Sequence, residues 1–125
     1  MELLASLWKR RARQTEATVH RADARLDDAA ALDRLLGPLP EADDLRARLA
    51  APFFARAWDA GAQRDHWLSS DGDRVTCYTV SGLTLAQAAA VRVRWDAMRG
   101  RVELSENVLA DLVARETGSA VTLVS

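Results

Sequence analysis

From Glu2 to Leu36 the chain runs without a glycine or a proline, and alanine, leucine and arginine fill most of it. Those are strong helix formers. Apolar or small residues recur at Leu4, Trp8, Ala12, Thr15, Val19, Ala22, Leu26 and Ala29, in alternating steps of about three and four. This spacing predicts one long helix with a narrow buried seam. Gly37 and Pro38 stop it, the glycine as a left-handed cap and the proline because it cannot continue a helix.

Such a rod would be about 50 Å long. A compact domain of 125 residues has a radius of gyration of about 14 Å and a diameter near ~35 Å. The predicted helix outreaches its own globule, so its seam calls for a second chain. Charge suggests how that chain lies. Residues 1–21 carry five basic against two acidic side chains, net +3, and residues 22–44 two basic against seven acidic, net −5. Antiparallel copies would set unlike halves against each other, which selects orientation more than it adds stability. The expectation is an antiparallel homodimer with Trp8, Val19, Ala22 and Leu26 at the interface.

Downstream, Pro40 opens a second helix, with Glu41, Asp43 and Asp44 at the positive end of its dipole and Gly61 closing it. Leu45, Leu49, Phe53, Phe54, Ala57 and Trp58 would form its buried face. Pro52 must kink that helix or split it after Ala51. Between His66 and Val80 the period changes to two, and Asp71-Gly72 marks the turn of a β-hairpin. Thr84 and Gln87 form a capping box for a helix reaching about Arg99, with Ala88, Val91, Trp95 and Met98 on one face. Arg101 to Leu104 reads as a short strand. Ser105 caps a last helix over Glu106 to Glu116, Gly118 stops it, and Ala120 to Val124 reads as a closing strand. The expected fold is α+β and helix-dominated: a single domain over 1–125, with 1–36 a long helix used for oligomerisation and a small antiparallel or mixed sheet.

The apolar share of 49% and charged share of 28% are those of an ordinary globular protein. A net charge of −1 exerts no global pull on nucleic acid or anionic lipid. The lone Cys77 excludes an intrachain disulfide and suits a cytoplasmic protein. No secretory signal or membrane-length apolar run is present, so a membrane partner is not expected.

The strongest local charge is Lys9, Arg10, Arg11 and Arg13, directly behind Trp8. On a helix these charges wrap around rather than form one stripe, which reads first as a solvated face. The alternative reading is phosphate binding by a nucleic-acid regulator. His66, Asp71, Asp73 and Cys77 gather around the hairpin, and cysteine beside histidine is the raw material of an activated thiolate. Mid-strand, however, a free cysteine usually serves as a small core hydrophobe. No cofactor or metal pattern appears; Ser70 to Asp73 lacks the further ligands of a calcium loop. The sequence therefore predicts a non-enzymatic, macromolecule-binding homodimer (an adaptor, regulator, chaperone-like or inhibitor module) whose partners are itself and another protein.

Overall fold

The computed structural model describes residues 16–125. Its organising element is one mixed sheet of five strands, β1 (Ala17–Arg25), β2 (Phe53–Asp59), β3 (Arg64–Ser70), β4 (Arg74–Ser81) and β5 (Val121–Val124), in the order β2-β3-β4-β1-β5. Strands β2, β3 and β4 form an antiparallel meander, β1 adds antiparallel to β4, and β5 adds parallel to β1. Four helices accompany it among the described residues: α1 (Ala29–Leu36), α2 (Ala42–Arg48), α3 (Leu85–Met98) and α4 (Glu106–Thr117).

The long rod and the helix-dominated architecture are overturned, since helix (37%) and strand (34%) are nearly balanced among the described residues. Ala17–Arg25 is a strand, not the middle of a helix, and Asp28 starts α1 by accepting a hydrogen bond from the Ala31 amide at 3.1 Å. Eight residues of β1, Thr18 to Arg25, pair with β4, and that ladder outweighs the helix preference of its alanines and arginines. With the rod goes the length argument for a second chain. Trp8 and the remaining N-terminal positions lie outside the described residues.

The second helix predicted from Pro40 to Gly61 is also corrected. α2 ends at Arg48, and Phe53, Phe54, Ala57 and Trp58 belong to β2. Pro52 stands between them, where its missing N–H costs neither element a bond. Arg101 to Leu104 forms no named strand; only an isolated Arg99–Val102 bridge occurs there.

Local signals elsewhere match their elements. At the β3–β4 turn, Asp71 Oδ1 accepts the amides of Asp73 and Arg74, each at 2.8 Å. Thr84 and Gln87 exchange side-chain bonds with each other's backbone amides at 3.1 and 2.9 Å. Ser105 caps α4, and Gly118 ends it in the left-handed region. Gly82 leads into α3 with φ +85°, and a Cβ there would stand 2.9 Å from Ala17 Cα. Only glycine fits.

Alternation along the strands sends side chains to two cores. On one face Val19, Trp67, Tyr78 and Val80 pack beneath Val91 and Trp95 of α3 and Leu109, Leu112 and Val113 of α4. On the other, Ala24, Leu68, Val75 and Cys77 pack beneath Leu32, Leu35 and Leu36 of α1, with Leu45 of α2 and Leu49 after it. No helix of the described residues is long and apolar enough to cross a membrane.

Candidate functional site

The strand register sorts the α1-side face of the sheet into rows. One row is Ala24, Val75, Ser70 and Phe53, and the next is Ala22, Cys77, Leu68 and Ala55. Both are essentially apolar and lie in the α1–α2 core, where Ser70 satisfies its hydroxyl on the Leu49 carbonyl at 2.9 Å. Beyond them the chemistry changes. The third row is His20, Thr79, His66 and Ala57, and the fourth is Thr18, Ser81, Arg64 and Asp59.

Over the polar rows the short helix α1 and the loop after it overhang without sealing. A cup of about 380 Å³ remains, lined by His20 and Ala22 of β1, Arg64 and His66 of β3, Cys77, Thr79 and Ser81 of β4, and Arg34, Leu35, Pro38 and Leu39 on the helical side. That volume lies within the range of small-molecule sites. Among the described residues, none that lines the cup is acidic. Arg34 and Arg64 are exposed at the cup, and neither is paired with a carboxylate among the described residues.

His66 is the buried member, 4% exposed. Its Nδ1 lies 2.9 Å from Thr79 Oγ1, while its Nε2 is buried with no hydrogen-bond partner among the described residues. Burial lowers the imidazole's pKa below its ordinary value of 6.5, only partly offset by Asp59 and Asp65. When Thr79 donates to Nδ1, the neutral ring carries its proton on Nε2. A buried N–H then lacks an acceptor, and such groups are uncommon enough to call for a reason.

Cys77 Sγ contacts Thr79 Oγ1 at 3.9 Å, so the threonine hydroxyl stands between thiol and imidazole. Burial pushes the thiol up to about 11. At neutral pH it is protonated, and its surroundings do not generate the thiolate that a nucleophile requires. Asp71 is bound to turn amides, which lower its pKa, and like Asp73 it lies outside the cup lining.

The predicted interface residues fall on a strand and its end rather than on one seam. Val19, fully buried, faces the α3–α4 core; Ala22, half-buried, floors the cup; Leu26 packs beside the α1-side core. Trp8, Lys9, Arg10, Arg11 and Arg13 lie outside the described residues. Sequence reasoning singled out His66 and Cys77 but missed His20, Arg34, Arg64 and Thr79. These positions are brought together by the β1–β4–β3 pairing, a relation between distant segments. Period-two alternation, if followed through β1, would have placed His20 and Ala22 on one face.

The fold and cup together define a mixed-sheet α+β protein with a basic, partly apolar cavity on one sheet face. Comparison of the chain with protein-family models, with curated proteins and with solved structures returns no match.

Proposed function

We propose that the protein works by binding, without bond chemistry of its own, and that its ligand is an anion received in the cup beneath α1. One observation carries this reading: among the described residues, two arginines and two histidines converge on a cavity with no acidic lining residue. In a partly desolvated cavity, charge-assisted hydrogen bonds from guanidinium and imidazole are the strong ones. The protonated, buried Cys77 and the absence of a direct Cys77–His66 bond among the described residues favour binding over thiol catalysis. The anion is either free or displayed on another protein, which keeps a macromolecular partner within the proposal.

The test is a backbone and side-chain amide NMR titration with acetate and with inorganic phosphate. Shifts concentrated at His20, Arg34, Arg64, His66 and Thr79 support the reading. Anion-induced shifts scattered over all exposed arginines, or none at the cup, overturn it.

A further inference from the structure

The cup is not uniformly basic, and that division says which anion it suits. Leu35, Pro38, Leu39, Ala22 and Cys77 give it an apolar wall and floor, while Arg34, Arg64 and the histidines supply the polar contacts. Its helical wall is the C-terminal end of α1, where Gly37 caps the helix and Pro38 follows. Helix C-termini present carbonyl oxygens and a partial negative charge, whereas phosphate sites are commonly built on helix N-termini. Among the described residues, none from a helix N-terminus lines the cup. A multiply charged phosphate would pair with the arginines but gain nothing from the apolar wall or the helix C-terminus, whereas a singly charged head with an apolar body matches both parts.

We infer that the ligand is a monocarboxylate with a short aliphatic body, its head held by Arg34 and Arg64 and by His66 Nε2–H. This rests on the anion-binding reading above and narrows it. His66 Nε2 is sealed from solvent, so the ring or the Leu39 wall must shift for the carboxylate to supply the acceptor it lacks; the aliphatic part covers Leu35, Pro38 and Leu39.

Proton linkage follows from the same geometry. The charged groups and titratable side chains around His66 are His20 from β1, Arg34 from α1, Cys77 from β4, Arg56 and Asp59 from β2, and Arg64 and Asp65 from its own strand. With the cup empty, burial favours the neutral ring. A carboxylate at Nε2 favours the imidazolium, which donates from both nitrogens, to Thr79 and to the ligand. Ligand binding therefore takes up a proton, and affinity rises as pH falls through the range where histidine titrates.

Isothermal titration calorimetry on the full chain tests this with hexanoate, hexanol, inorganic phosphate and a short peptide ending in a free leucine carboxylate. Two buffers of different ionisation enthalpy report the protons taken up. Hexanoate is expected to bind at least about tenfold more tightly than hexanol or phosphate, an increment an ion pair of this kind readily supplies. The double variant Arg34→Gln/Arg64→Gln is expected to lose about tenfold or more. Affinity for hexanoate should fall by up to about tenfold per pH unit as His66 loses its proton. His66→Gln should still bind but without proton uptake; Thr79→Val, which spares the ring, should alter the uptake if the mutant at position 66 fails to fold. Tighter binding of the peptide keeps the carboxylate assignment and places it on a partner chain. Phosphate bound more tightly than hexanoate overturns the inference while leaving the anion site standing. Undiminished proton uptake in His66→Gln assigns the proton elsewhere and removes His66 from the inference. Failure of every anion to bind removes both readings.

Discussion

The two faces of the sheet are covered by helices of different reach. α3 has 14 residues and extends about 21 Å, close to the ~27 Å of the eight-residue strand β4. α1 and α2 have eight and seven residues and extend only about 12 and 10 Å. The α3–α4 side is packed around Trp67, whose ring centroid lies 6.3 Å from Trp95 and 5.9 Å from Phe54, and it gives way to exposed Asp23 and Arg74 further along the strands. Its one buried charge among the described residues, Asp65 at 1% exposure, is neutralised by Arg92 and accepts the Trp67 indole N–H at 3.0 Å. The other side is filled for two rows of side chains and open for the next two. Each face is core beneath its own helices and polar beyond them, and the two open stretches lie at opposite ends of the strands.

Neighbouring residues on β3 provide the sharpest way to break this comparison. Asp65 points to the α3–α4 face, where Arg92 meets it, and Arg64 to the cup on the α1 face. Asp65→Ala leaves Arg92 and the Trp67 N–H without their acceptor and should cost about 3–5 kcal/mol in urea unfolding. Leu36→Ala, at the closed end of the α1 side, should cost about 2–5 kcal/mol, because Leu36 is fully buried in its cluster. Gly82→Ala should cost about 1–3 kcal/mol, since it demands a left-handed backbone and a Cβ against Ala17. Removing the α3 cap by Thr84→Ala should cost about 1 kcal/mol. Arg64→Gln should lie within about 0.5 kcal/mol of the parent. If Arg64→Gln proved as damaging as Asp65→Ala, the open face would be core after all.

A pH series adds a smaller effect of known sign. His66 has a folded pKa below its ordinary value of 6.5, so the unfolded chain binds its proton more readily. Its contribution to stability is present above that value and is lost as pH falls through the folded pKa. Thermal melts from neutral to mildly acidic pH should show this loss, and His66→Gln should flatten it.

The contrast between legible and illegible parts of the sequence follows the range of the interactions. Asp71-Gly72, Thr84 with Gln87, and Ser105 with Gly118 act within four residues or across one helix, and each could be read directly. β1 could not be read by propensity, because its alanines and arginines favour helix in isolation and become strand by pairing with β4. β2 misled in a different way: Phe53, Phe54, Ala57 and Trp58 fit helical spacing, while Phe54, Arg56 and Trp58 also fit alternation. Pro52 arbitrates between them by excluding a continuous helix. Of the cup, His66 and Cys77 stood close enough in the chain to be noticed together. His20 and Arg34 belonged to the supposed rod, where neither could meet them.

The position of β1 carries a consequence for how the molecule assembles. First in sequence among the described strands, it lies inside the sheet, with Ala24 beside Val75 and Ala17 beside Val121. Both contacts close long loops, so this topology should fold slowly compared with a helical bundle of similar size. The β2–β4 meander can form from one continuous stretch, but it supplies only two walls of the cavity. A ligand that grips His20 and His66 together would hold β1 in its berth, acting as a clasp between that strand and the meander that follows it.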